Sequence, residues 1–456
     1  GVGFSHDPIT LAPYRSINWA ESADTSIITA GGNGRSWQQA ATSPHPAPAC
    51  ISSVVTLLTE LLELFGQAPL DCEFAVTREG DGECLWLLQA RPLVLARPPE
   101  ETAQQSARLA WIEEKVRRGM RPHPFLMGQR TVYGVMPDWN PAEIVGIRPK
   151  PLALSLYREL VTDAIWAYQR HNYGYRNLRS FPLMPHFFGQ PYIDVRLSFN
   201  SFIPADLDKG IAGRLVDHYI ERLLAEPALH DKVEFEIVYS CYTLDLPDRL
   251  ERLAEKGFSV AEREAIADSL RRLTNRIIHH ENGLWRADAA KLQTLGERRE
   301  QLLAGSSDPL ERIYWLQEDA KRYGTLPFAG LARAGFIAVQ MLRSLVNVGV
   351  FSAADQDAFL RGISTVSGQL TRDRTALDRA SFLKRYGHLR PGTYDILSPR
   401  YDEAPDLYFN WNEMPAPAEP SPPFALTLPQ MREIVRLLKA HGLEPDPVRL
   451  LDFLQA

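Results

Sequence analysis

Two stretches near the start of the chain, Leu70 to Thr77 and Cys84 to Leu95, are apolar and strand-like in their pattern. Between them lies Glu79-Gly80-Asp81-Gly82-Glu83, a cluster of turn-forming residues. The pattern predicts a β-hairpin with a three-residue loop, Gly80 to Gly82, in which Gly82 takes the left-handed conformation. Arg15 to Ala20 reads as another strand and Ala30 to Pro48 as a loop containing Gly, Ser and Pro. From Ile51 to Phe65, apolar residues at 54, 57, 58, 61, 62 and 65 recur at helical spacing, and Gly66 ends the helix. Arg97-Pro98-Pro99-Glu100-Glu101 reads as a stiff linker. Beyond it the period is mostly helical, with long helices predicted over Leu152–His171, Val260–His280, Gly330–Val346, Ala353–Gln369 and Leu428–His441. Val233 to Tyr239 alternates with period two and reads as a strand, and Pro415 to Pro423 as an extended crossing segment. The fold class expected is α+β: a small α/β unit over residues 1–99, then a large, mainly helical domain over 100–456.

The hairpin register carries the first candidate chemistry. It places Asp71 opposite Arg91 and Glu73 opposite Gln89, and residues two apart share a face of the sheet. Two carboxylates, an amide and a guanidinium on one face suit a divalent cation with phosphates beside it. The same residues also read as ordinary cross-strand surface pairs, each worth roughly 0.2–1 kcal/mol.

The helical region holds four polar and aromatic clusters. The first is Met136-Pro137-Asp138-Trp139-Asn140-Pro141, with Asn140 and Glu143 reading as a helix cap and capping box. The second runs from Trp166 through Arg170 to Tyr175-Arg176, and the third from Pro191-Tyr192 through Asp194 and Arg196 to Ser201-Phe202. The fourth is Tyr386-Gly387-His388-Leu389-Arg390 with Asp395-Ile396 and Pro399-Arg400-Tyr401. Arg, Asp and Tyr around glycines suit either an anion-binding loop or a buried ion-pair network.

Composition narrows the classes. The 456 residues carry a net charge of −6 with both signs mixed, so no broad basic surface for nucleic acid is expected. No apolar run reads as membrane-spanning, and no membrane partner is expected. The four cysteines, Cys50, Cys72, Cys84 and Cys241, have no zinc-type spacing; reduced thiols and a cytoplasmic location are the default reading.

Asp71-Cys72-Glu73-Phe74 with Leu87-Leu88-Gln89-Ala90-Arg91-Pro92 resembles the end of the ATP-grasp nucleotide-binding domain of the pyruvate,phosphate dikinase and phosphoenolpyruvate synthase family, D-x-E-[FW] followed by L-Q-x-R-P. The opening Gly1-Val2-Gly3-Phe4-Ser5-His6-Asp7-Pro8 is similar to the family's G-V-x-F-T-R-[DN]-P, with Ser5 in place of Thr and His6 in place of Arg. The fourth cluster is similar to the middle domain of rifampicin phosphotransferase and its relatives. The resemblance implies a partial ATP-grasp subdomain binding ATP and Mg²⁺. Glu73 and Asp71 would hold the metal, Gln89 and Arg91 would contact phosphate oxygens, and Asp7 and Glu21 are further candidates for the pocket. It also implies phosphoryl transfer to a small-molecule acceptor through a histidine on a swivelling domain. That domain's G-G-x-x-[ST]-H segment has no match here, nor has the nucleotide-gripping lobe that precedes the motifs, so the chain is expected to be an internal piece of a longer enzyme and inactive alone. The alternative is a helical module that binds a small anionic or aromatic molecule, with the ATP-grasp remnant as scaffold.

Overall fold

The computed structural model describes the chain except residues 9, 22–33, 80–81, 94–98, 364, 392–397 and 412–423. Parts of the expected turn, of the linker and of the fourth cluster, and all of the Pro415–Pro423 segment, lie outside the described residues. The protein is mixed α/β and divides into two compact units, Gly1–Arg118 and Gly119–Ala456. The expected division was at residue 99; the helix that follows it, Thr102–Gly119, groups with the first unit up to Arg118.

The first unit is built on a five-stranded antiparallel sheet. Its strands are β1 (Val2–Phe4), β2 (Tyr14–Trp19), β3 (Arg35–Ala40), β4 (Leu70–Glu79) and β5 (Gly82–Pro92), in the order β3-β2-β1-β4-β5. Helix α1 (Ser52–Leu64) covers one face, burying Val54, Leu58 and Leu61 against Ile17, Leu70, Cys72 and Phe74. Gly3 sits in that face because a Cβ there would lie 3.3 Å from both Cys72 Sγ and Leu58 Cδ1. Gly66, at φ +61°, follows the helix as expected.

Two expectations are corrected here. The segment read as a loop over Ala30 to Pro48 contains β3. Its one large apolar residue is Trp37, and it pairs through its backbone at the sheet edge, so it carries little hydrophobic alternation. Nor is Gly82 a left-handed loop residue; it lies in β5 opposite Glu79. The strands thus come one residue closer than predicted, and a bulge beside Glu73/Phe74 takes up the difference. The register beyond the bulge is the predicted one, Asp71 opposite Arg91 and Glu73 opposite Gln89.

The second unit is mainly helical. Its largest core packs Phe199, Phe202 and Tyr219 with Ile337, Met341 and Leu345 of the helix Leu326–Asn347. That helix belongs to a continuous segment, Pro309–Asn347, which by length and composition is apolar enough to cross a membrane; much of its apolar surface is core. Helix Leu428–His441 has the predicted bounds, closed by Gly442 at φ +64°. Three expectations fail. Val233 to Tyr239 is not a strand: Val233–Ile237 is a π-helical turn, closed by the Val238 amide on the Val233 carbonyl at 2.9 Å, and Phe235, which a strand would place on the same face as Val233 and Ile237, stays outside the core they enter. The helix expected over Leu152–His171 is split into Pro151–Tyr157, a π turn Arg158–Thr162, and Ile165–Tyr173. The one expected over Ala353–Gln369 is two, Ala353–Gly362 and Val366–Ala376, each with its own side-chain cap, Ser352 and Thr365.

The cysteines are free; Cys72 and Cys241 are buried, Cys50 and Cys84 exposed. Burial pushes the Cys72 thiol up to about 11 and the Cys241 thiol up to about 12. A thiol-reactive disulfide reagent at neutral pH should therefore titrate Cys50 and Cys84 quickly and the other two only on unfolding. Four fast thiols would contradict this burial.

Candidate functional site

The face of the sheet opposite α1 is defined by two adjacent cross-strand rows. Gln38, Ser16, Phe4, Asp71 and Arg91 form one; Ser36, Asn18, Val2, Glu73 and Gln89 form the other. All four residues singled out in the hairpin therefore lie on this face at the β4–β5 edge. Asp71 is only 4% exposed, whereas Glu73 is half-buried and Gln89 and Arg91 are exposed. Arg91 Nε donates to both Asp71 oxygens at 3.0 Å, and Arg91 Nη2 stands 2.9 Å from Oδ2. The hydrogen bonds and charge of Asp71 hold the Arg91 guanidinium above its usual range.

Asp71 is thus engaged with Arg91, and Glu73 is the carboxylate left facing outward beside Gln89. Among the described residues no group of three or more His, Cys, Asp or Glu could hold a metal. A Mg²⁺ site of one or two carboxylates completed by phosphates needs no such group, and the donor set here fits that kind of site. Asp7 accepts from the Thr10 amide, the Thr10 hydroxyl and Gln38 Nε2, at the end of the Asp71 row. Glu21 pairs instead with Arg35 on the exposed surface, 3.0 Å away. Ser5 is buried and accepts from the Leu70 amide at 2.8 Å, a structural role. Burial lowers the pKa of the neighbouring His6.

The second unit holds a different arrangement, which joins the first three clusters. Arg170 donates to Asp138 Oδ1 at 3.0 Å and to Ser201 Oγ at 3.1 Å, while Ser198 donates to Asp138 Oδ2 at 3.0 Å. Arg333 grips Glu234 with both terminal nitrogens, one at 2.9 Å. The two guanidinium groups lie 4.5 and 4.7 Å from the centre of the Phe202 ring. Desolvation lowers the Arg170 pKa, helped by the like charge of Arg333. Burial acts on Arg333 in the same sense, but Glu234 and its hydrogen bonds outweigh it and raise the pKa.

These pairs line a cavity of about 330 Å³, walled also by Trp139, Phe235, Phe328 and Phe336. Trp139 (φ 48°) and Asn140 (φ 31°) are held in left-handed backbone on its rim. Asn140 does not make the predicted cap: Pro141 opens the short helix, but no Asn140 side-chain hydrogen bond closes it, and its buried Oδ1 has no partner. In the fourth cluster, Arg400 pairs with Asp402 at 2.9 Å and Tyr386 donates to Asp373 at 2.8 Å. Arg333 and Glu234 went unnoticed in the sequence. A signal was present: Arg333 is one of two charges, with Arg343, within the mostly apolar run of Gly330–Val346.

Comparison of the chain with family models, with curated proteins and with solved structures yields no match.

Proposed function

We propose that the chain is part of an ATP-dependent phosphotransferase resembling phosphoenolpyruvate synthase, with the open face of the first unit's sheet as its nucleotide-phosphate surface. One observation carries this reading: Asp71, Glu73, Gln89 and Arg91 occupy neighbouring positions in two adjacent rows on a face that α1 leaves uncovered. Glu73, with Asp71 behind it, would hold Mg²⁺; Gln89 would orient a phosphate oxygen. Arg91 reaches outward from Asp71 and could turn its free edge to phosphate without losing its anchor. Bound Mg²⁺ supplies charge neutralisation for the transferring phosphoryl oxygens. The reading includes a partial ATP-grasp fold, a phosphohistidine elsewhere in the parent protein, a small-molecule acceptor and a cytoplasmic location.

The test is ATP affinity of the intact gene product, with Mg²⁺ and with chelator. Binding should require Mg²⁺ and weaken by roughly tenfold or more in Arg91→Lys, because an ammonium cannot reproduce the guanidinium fork. If Arg91→Lys and Asp71→Asn both bind ATP like the parent, the hairpin is structural. The 330 Å³ cavity favours a second reading in that event: the helical unit is a small-molecule binding module. Its arginines are already matched by Asp138 and Glu234, so an uncharged aromatic ligand suits it better than an anion.

A further inference from the structure

A second cavity in the helical unit, of about 250 Å³, has the opposite electrostatic character. Arg222, Arg249, Arg252 and Arg343 line it, with Glu236 and Asp245 as its carboxylates. Four positive and two negative groups leave a local charge of +2 on a chain whose net charge is −6. The Asp245 carboxylate is already occupied by neutral donors, Thr243 Oγ1 at 2.6 Å and Asn347 Nδ2 at 2.7 Å. Arg222 is spent on the carbonyls of Glu236 and Ile237, which fixes the end of the π-helical turn. Among the described residues Arg249, Arg252 and Arg343 form no ion pair with a carboxylate. Two of them rest on rings instead: Arg249 lies 5.4 Å from the Tyr239 ring centre and Arg343 4.9 Å from that of Phe235. Stacking on an aromatic face orients a guanidinium while leaving its N–H edge free.

We propose that this cavity binds a phosphate group, free or carried on a small ester. Guanidinium forks match the geometry of a tetrahedral oxyanion, and three of them without carboxylate partners around one space attract a dianion in particular. The volume decides the size of the ligand. It falls below the roughly 300–1,000 Å³ of pockets that take drug-sized molecules, which suits a phosphate monoester rather than a nucleoside triphosphate. The site lies within the helical unit and does not depend on the hairpin reading.

The experiment is calorimetric titration of the 456-residue chain with inorganic phosphate, and separately with glycerol 2-phosphate, in a low-salt buffer. One saturable site is expected for at least one of them; whichever binds tighter identifies free phosphate or its ester as the ligand. Arg252→Ala/Arg343→Ala should weaken binding by roughly tenfold or more. Both side chains belong to exposed residues, so the melting temperature of the double variant should match that of the parent. Arg91→Ala should leave the titration unchanged, which separates this site from the hairpin. Equal affinity in the double variant, displacement by chloride at matched ionic strength, or no saturable heat up to about 10 mM of either probe would overturn the proposal.

Discussion

Glu234→Gln is expected to destabilise the helical unit by about 3–5 kcal/mol, the range seen when one partner of a buried ion pair is removed. Arg333 is 2% exposed and its main countercharge is Glu234, whose side chain is 12% exposed. Without that carboxylate the guanidinium stays charged in a dry site, with the Arg170 charge close enough to oppose it. The π-helical turn that presents Glu234 would also lose one of the contacts that tie it to the helix Leu326–Asn347, leaving the packing of Phe235 on Phe336. A large fall in the urea midpoint, followed by helical circular dichroism, is the observable. Arg333→Met combined with Glu234→Leu should recover most of the loss, since apolar side chains of similar size often replace a buried pair without penalty. A single variant within about 1 kcal/mol of the parent would mean that water or rearrangement already screens the pair.

That pair marks the limit of what the sequence makes legible. The hairpin could be read because its information is local: strand alternation and a turn cluster fix which residues face each other. Even so, the turn is one residue shorter than the cluster of glycines predicts, and Asp71 and Glu73 keep their predicted partners because the bulge beside Glu73 compensates. The helices were legible where apolar spacing runs unbroken to a cap, as over Leu428–His441. They were not legible where an i+5 turn interrupts them, as at Arg158–Thr162, because a π turn leaves the residue types unchanged, and the isolated π turn Val233–Ile237 carries the period-two pattern of a strand. The first three clusters were visible as clusters. Their convergence was not, since Asp138, Arg170, Glu234 and Arg333 lie tens of residues apart and meet only through the packing of the helices that carry them. The arginines of the smaller cavity that form no ion pair among the described residues were invisible for the same reason, as such an Arg looks in sequence like any solvated one.

Glu73→Gln is the change expected to act on chemistry with least effect on the fold. In the intact gene product it should reduce phosphoryl transfer by roughly 10²–10³-fold, equivalent to about 3–4 kcal/mol of barrier, the scale for losing one preorganised electrostatic contact. The amide keeps the shape of the carboxylate and removes its charge, so a metal held there loses its strongest donor while the hairpin keeps its register. Stability should barely move: Glu73 is half-buried on the open face, outside the Leu70–Cys72–Phe74 row that packs on α1. Gln89→Glu provides the opposite control, because a second carboxylate across the strand pair from Glu73 should tighten Mg²⁺ yet repel phosphate. The decisive measurement is turnover as a function of Mg²⁺ concentration, taken with the melting temperature of each variant. If Glu73→Gln keeps normal turnover and the same Mg²⁺ requirement, Glu73 is a surface residue of the hairpin. The metal site must then lie elsewhere, and the phosphotransferase reading loses the observation that supports it.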